Sequence, residues 1–222
     1  MKRKIITTAD GSKTIQIVDW NEQYHSIHGA IQEAYHVFIK YGLSLFKDDK
    51  VSILEIGFGT GLNALITAIE AKKMNLDIKY TAVEAYPVQL KEIRELNYIE
   101  ELSATDYSDQ FLKMHSSNWD EPILISKQFN LLKQQKDFVT IDDVNLFNLV
   151  YFDAFGARVQ PELWTEVIFS KMYTAMKTGG VLVTYAAKGS VRRAMQAAGF
   201  IVERLPGPPG KREMLRAVKP FA

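Results

Sequence analysis

The 222-residue chain has no cysteine, which excludes disulfides, thiolate metal sites and a cysteine nucleophile, and fits an expected cytoplasmic setting. Histidine is scarce, at 4 residues. Three of them, His25, His28 and His36, crowd one segment without a carboxylate-rich partner set or a metal-ligand spacing, so no metal is expected there. No apolar run approaches the roughly 20 residues that a membrane helix needs, so no membrane association is expected. The opening "MKRKIITTADGSKT" carries positive charge with no apolar segment behind it and does not read as a secretory signal. Internal repeats and low-complexity tracts are also missing.

What is present is the composition of a globular domain, 47% hydrophobic and 24% charged. The length suits one domain with a substantial core and a small extension. A formal net charge of +1 conceals an uneven distribution. Residues 171–222 hold ten Lys/Arg against two Asp/Glu, a local net of +8, and the remaining 170 residues carry −7. A basic carboxyl-terminal quarter is suited to phosphates, or is a solvated face.

Strand-like runs alternate with helical ones from residue 50 onward. "VSILEIG" (51–57), "IKYTAVEAY" (78–86), "PILISK" (122–127), "NLVYFDAF" (148–155) and "GVLVTYAA" (180–187) are rich in Val, Ile, Leu, Tyr or Phe. Stretches such as "LNALITAIEAKKMN" (62–75) and "PELWTEVIFSKMYTAMKTGG" (161–180) are long enough for crossover helices. That alternation predicts a parallel sheet covered on both faces. The tail changes rhythm, since "IVERLPG" and "REMLRAV" are joined only by a Pro/Gly turn and predict an antiparallel hairpin. The expected fold is therefore α/β and doubly wound, a Rossmann-like seven-stranded sheet ending in a carboxyl-terminal hairpin, as in methyltransferases. Residues 1–40 are expected to form an extension, a short strand or hairpin plus a helix, packed on a domain of residues 41–222.

The stretch "SILEIGFGTGLNALITA" (52–68) sets Gly57, Gly59 and Gly61 between an apolar run and a helical one. Glycines at the carboxyl end of a strand let backbone approach a ligand without a Cβ in the way. A dinucleotide fingerprint needs its third glycine one residue later, where Leu62 stands. The spacing better resembles the E-x-G-x-G-x-G loop of S-adenosylmethionine enzymes, led by Glu55. Glu84, ending the next strand, is placed to accept both ribose hydroxyls. Asp137, in "KQQKDF" (133–138), is a candidate for the adenine amine or an ordinary loop acid. Asp153 ends the fourth strand among Tyr151, Phe152 and Phe155, a costly setting for an acid unless a cation lies beside it. An alkyl ammonium fits: a carboxylate can hold it, orient it and take its proton before methyl transfer.

Several motifs together carry a more specific resemblance: "TADGSKT" (8–14), "NEQYHSIHGAIQEAYHVF" (21–38), "LEIGFGTGLN" (54–63), "FDAFGARVQPELW" (152–164), "GSVRRAMQAAGF" (189–200) and "GKREML" (210–215). With these the chain resembles the tRNA 5-methylaminomethyl-2-thiouridine methyltransferases of the standalone MnmD type, and the amino-terminal domain of bifunctional MnmC. The resemblance implies methylation of the aminomethyl group on a wobble (2-thio)uridine of tRNA, with S-adenosyl-L-methionine as donor. The Gly57–Asn63 loop and Glu84 would hold the donor, and Asp153 would sit beside the amine. Tyr24 and Ser26 match a Y-x-S element, and with Phe155 and the tail residues Lys211 and Arg212 they would meet the substrate. The length leaves no room for a flavin-dependent oxidase domain, so no flavin is expected, and no obligate protein partner is inferred. Two other functions stay open: an enzyme transferring methyl or aminopropyl groups to a free small amine, and a tRNA-binding protein of the same fold that does not catalyse.

Overall fold

The computed structural model describes residues 2–47 and 49–221. The amino-terminal segment opens with a three-stranded antiparallel sheet of β1 (Arg3–Thr7), β2 (Lys13–Ile17) and β3 (Glu22–Gln23). Helix α1 (Ala30–Ala34) runs on into a π-helical stretch, Tyr35–Lys40. Ala30, Ala34, Val37 and Phe38 are buried against the main sheet, and Ile15 of β2 joins the same core.

The main sheet holds β4 (Lys50–Ile56), β5 (Asp77–Val83), β6 (Pro122–Ser126), β7 (Phe129–Gln134), β8 (Phe147–Phe152), β9 (Met176–Thr184), β10 (Ile201–Pro206) and β11 (Glu213–Val218). Their spatial order is β10-β11-β9-β8-β4-β5-β7-β6. The central five, β7, β5, β4, β8 and β9, are parallel, and β6, β11 and β10 pair antiparallel at the two edges. The doubly wound α/β expectation and its terminal hairpin hold, with eight strands among the described residues in place of seven.

The extra strand lies where sequence patterning misleads. The third parallel strand is "FNLLKQ" (129–134), and "PILIS" (122–126) is the antiparallel edge beside it. The polar register of β7 includes Lys133, which is 1% exposed. Its ammonium escapes the sheet by donating to the carbonyls of His115 and Ser117, at 3.2 and 2.9 Å. Desolvation lowers its pKa to about 8.

Helices connect the strands: α2 (Leu62–Lys73), the short α3 (Leu90–Ile93) and α4 (Tyr98–Glu101), α5 (Ser108–Ser116), α6 (Glu166–Ala175) and α7 (Gly189–Ala197). Both faces of the sheet are covered, so β4 and β8 read as continuous apolar runs. The period of two still sorts their side chains. Ile53, Leu149 and Tyr151 pack in one core with α2 and the amino-terminal segment. Leu54, Ile56, Val150 and Phe152 pack in the other with residues of α6 and α7.

Candidate active site

Strand β4 is hydrogen-bonded in parallel to both β5 and β8, so the winding reverses between β4 and β8. A crevice opens at the carboxyl ends of two strands that diverge in this way. The glycine loop sits there. Gly57, Gly59 and Gly61 have φ of +94°, +50° and +72°, conformations that side chains with a Cβ rarely adopt. A Cβ at Gly57 would come within 2.9 Å of the Asp153 carbonyl oxygen, and one at Gly59 within 3.0 Å of the Tyr24 ring. The loop's own N–H groups are committed: Gly57 donates to Val83 O at 2.9 Å and Gly61 to Phe58 O at 2.9 Å. The glycines therefore supply close approach, and acidic side chains surround them.

Four acids do so. Glu84 is 9% exposed and accepts the N–H of Gly59 at 3.0 Å and that of Tyr86 at 2.8 Å. Burial raises its pKa, and the two backbone donors oppose the rise. Glu55, on β4, is fully buried and takes one hydrogen bond from Asn63 Nδ2, at 3.0 Å. The same nitrogen donates to Asp153 Oδ2 at 2.8 Å. Burial holds the Glu55 carboxyl well above the usual carboxylate range, with the nearby Asp153 charge adding to the shift. Asp153 is likewise raised well above that range, first by burial and then by the Glu33 carboxylate, against the Asn63 hydrogen bond and the Lys211 charge. Glu33, on α1, is 7% exposed and forms an ion pair with Lys211 from the turn between β10 and β11.

A cavity of about 510 Å³ joins these groups, within the size range of small-molecule sites. Of the residues singled out from the sequence, Gly57, Gly59, Glu84, Asp137, Asp153, Tyr24, Ser26, Phe155 and Lys211 line it. Glu55, Gly61, Asn63 and Arg212 do not: Glu55 is buried on β4, Gly61 and Asn63 are buried where the loop enters α2, and Arg212 is exposed beside Lys211. Asp137 stands at the rim, where its carboxylate accepts the Val139 N–H at 3.0 Å and caps a short 3-10 turn.

The structure adds Trp20, Tyr185 and Glu33 to the cavity residues expected from the sequence. Trp20, Tyr24 and Phe155 make an aromatic wall, with Phe155 edge-on to Tyr24 at 4.9 Å and to Trp20 at 5.7 Å between ring centroids. Tyr185, just past β9, donates its hydroxyl to Ala154 O at 2.8 Å and so buttresses the residue next to Asp153. Glu33 lies inside the quoted motif "NEQYHSIHGAIQEAYHVF", where an acid among apolar helix positions was the available signal. Of the three histidines, His25 and His28 line the cavity. His25 is partly buried, 2.9 Å from Thr14 Oγ1, and desolvation lowers its pKa to about 4, so it is a neutral strut between β2 and the loop. Among the described residues no three His, Cys, Asp or Glu side chains gather as a metal-binding group, and no helix is long and apolar enough to cross a membrane.

Residues 128–220 match the model of a family described as S-adenosyl-L-methionine-dependent methyltransferase. The chain is 28% identical over 215 residues to the tRNA 5-methylaminomethyl-2-thiouridine biosynthesis bifunctional protein MnmC of Nitrosospira multiformis, covering 90% of this chain and 34% of that protein. The MnmC of Hydrogenovibrio crunogenus is 26% identical, over 96% of this chain and 33% of its own length. Among solved structures, MnmC2 from Aquifex aeolicus superimposes with a TM-score of 0.77 at 25% identity, over 100% of this chain and 73% of that one. In sequence and in fold the chain is similar to S-adenosyl-L-methionine-dependent methyltransferases and to part of MnmC. It spans about a third of the length of the curated relatives it matches. The N-methyltransferase NodS from Bradyrhizobium japonicum, at a TM-score of 0.50 and 15% identity, shares the fold alone. The residues lining the crevice at the β4/β8 reversal fit a donor of the S-adenosylmethionine kind: two glycines bare of Cβ, a buried acid at the end of β5, and an apolar rim at Phe138 and Val139.

Proposed function

We propose that this methyltransferase N-methylates the 5-aminomethyl group of a (2-thio)uridine at the wobble position of tRNA, giving 5-methylaminomethyl-(2-thio)uridine. The observation that carries the reading is Asp153, a carboxyl group with a raised pKa in a partly aromatic cavity directly beside the glycine loop. The names of the relatives, all MnmC proteins of 5-methylaminomethyl-2-thiouridine biosynthesis, support the choice of acceptor.

Glu84 would hold the donor's ribose, since each of its oxygens keeps a lone pair beyond the backbone N–H it already accepts. Asp137 and Val139 would flank the adenine, and Gly57 and Gly59 would let the rest of the donor lie close to backbone. The bound donor supplies an electrophilic methyl group on a positively charged sulfur. The chain must present a neutral amine to it. The substrate arrives mostly as ammonium, and Asp153 accepts one of its protons, which frees the nitrogen lone pair for the new N–C bond. A raised pKa makes this carboxylate a better proton acceptor near neutrality than an ordinary aspartate. Trp20, Tyr24 and Phe155 would face the uridine ring, and exposed basic residues of the tail would meet phosphates. We read residues 1–40 as an extension to the domain of residues 41–222, one that closes the acceptor side of the cavity through Tyr24, Ser26 and Glu33.

The test is nucleoside mass spectrometry of tRNA carrying 5-aminomethyl-2-thiouridine after incubation with protein and S-adenosylmethionine. Conversion to the methylaminomethyl nucleoside is expected. Methylation of free small amines with tRNA left unchanged would overturn the reading.

A further inference from the structure

The Lys211 ammonium has an environment that its place in the chain does not require. It leaves a surface turn and enters the cavity, where it pairs with Glu33, a carboxylate 178 residues distant in sequence. Its nitrogen lies 3.9 Å from the centre of the Tyr185 ring, a cation–π contact. The Tyr185 ring is held by its hydroxyl on Ala154 O, adjacent to Asp153. Glu33 is fixed in turn, because its other oxygen accepts the Ser26 N–H at 2.9 Å. The charges of Lys211 and Glu33 both reach Asp153. A primary alkyl ammonium thus sits against an aromatic face and a buried carboxylate, in the cavity that holds the methyltransferase crevice.

The geometry points to a substrate site occupied by the protein's own side chain: Glu33 and Tyr185 form the recognition site for the acceptor's alkylammonium group, and Lys211 fills it until substrate arrives. The inference rests on the reading of the acceptor as a primary amine. Two features favour it over a purely structural ion pair. A partly buried pair between a turn and a helix adds little to stability, because the desolvation of Glu33 offsets much of the attraction. An aromatic ring and a carboxylate facing one ammonium, next to an acid able to take a proton, also constitute what an amine acceptor needs before methyl transfer. Withdrawal of Lys211 would free Glu33 for the incoming ammonium and place the lysine at the cavity mouth beside exposed Arg212, where anionic substrate is expected.

The test exploits the size of the vacated space. Lys211→Ala removes the side chain beyond Cβ, the atoms that propylammonium carries. Calorimetric titration of this variant with propylammonium chloride should show saturable binding that the wild type lacks, and propanol should not bind. Adding Glu33→Gln should weaken that binding about tenfold or more, the scale of a lost hydrogen bond between charged groups. In methyl-transfer assays of Lys211→Ala, propylammonium should compete with the amine acceptor and not with the donor. Glu33→Gln alone should raise KM for the acceptor while S-adenosylhomocysteine affinity is kept. No propylammonium binding by Lys211→Ala, or binding indifferent to Glu33, would overturn the proposal, as would inhibition that is not competitive with the acceptor. If tRNA proves not to be methylated while propylammonium binds as stated, the tRNA reading fails and the ammonium site stands.

Discussion

One amide nitrogen joins two acids on different strands: Asn63 Nδ2 lies 3.0 Å from Glu55 Oε1 and 2.8 Å from Asp153 Oδ2. Asn63 is 3% exposed and occupies the first turn of α2, so the start of the helix is pinned to the ends of β4 and β8. Sequence reading placed Asn63 among donor-binding residues, and its geometry makes it a positioning residue for Asp153. Asn63→Ala would leave two buried carboxyls without that donor, at a cost of about 1–3 kcal/mol. Burial and Glu33 raise the Asp153 pKa, and Asn63 is first among the groups that lower it. The acidic limb of the pH–rate profile should therefore move to higher pH in the variant. An unmoved limb would show that the amide does not tune Asp153.

Glu55 makes a separate prediction about stability. Its pKa in the folded protein is raised well above 4.5, first by burial and with the Asp153 charge adding, against the hydrogen bond from Asn63. A carboxyl raised in the folded state favours folding while protonated. That contribution is fully present below the unfolded pKa and is lost as pH rises through the folded one. Glu55→Gln cannot ionise, and its amide can still accept from Asn63. Relative to wild type the variant should gain stability progressively as pH rises above the usual carboxylate range, read as urea midpoints. Asp153 has a shift of the same sign, so some pH dependence should remain. Parallel curves for the two proteins would count against a neutral Glu55.

The sheet was legible because its parallel strands are buried on both faces and announce themselves as apolar runs. The exception, β7, was hidden by Lys133, whose stem is buried while its head reaches two helix-end carbonyls. The glycine loop, Glu84 and Asp153 were legible because strand ends in a doubly wound sheet have predictable neighbours. Glu33 and Tyr185 were not. Their relation to the cavity depends on how the amino-terminal segment and the tail hairpin close over the crevice, contacts between parts of the chain that no local pattern encodes. The tail's charge was legible only as a sum. In the structure Arg216 pairs with Glu203 and Arg204 with Glu213, and Lys219 donates to the carbonyls of Tyr173 and Met176.

Asp153→Asn tests the chemistry. The change keeps shape and removes the capacity to hold an ammonium by charge and take its proton. The methyl-transfer rate should fall by about 10²–10⁴, the usual span for general acid–base help. S-adenosylhomocysteine affinity, measured by calorimetry, should change little, because Glu84 and the glycine loop are untouched. The residual rate should also lose the acidic limb that the wild type shows. A variant with wild-type turnover at neutral pH would remove Asp153 from the mechanism.

The internal pairing of the tail narrows the residues open to tRNA. Lys188, Arg193 and Arg212 are exposed. Lys188 follows β9 at the carboxyl edge of the parallel sheet, Arg193 lies on α7 nearby, and Arg212 adjoins Lys211 at the cavity. If the three meet phosphates, each contact releases condensed counterions, and tRNA affinity should fall linearly with salt on a log–log plot. Replacing all three by glutamine should flatten that slope by about 2–3, at roughly 0.7–0.9 per phosphate. S-adenosylhomocysteine binding should be unaffected, since none of the three lines the cavity. Filter-binding or fluorescence titrations of unmodified tRNA across a salt series would read the slope without requiring turnover. An unchanged slope would move the phosphate contacts to another face of the protein, and the excess charge of the tail would then be only a solvated surface.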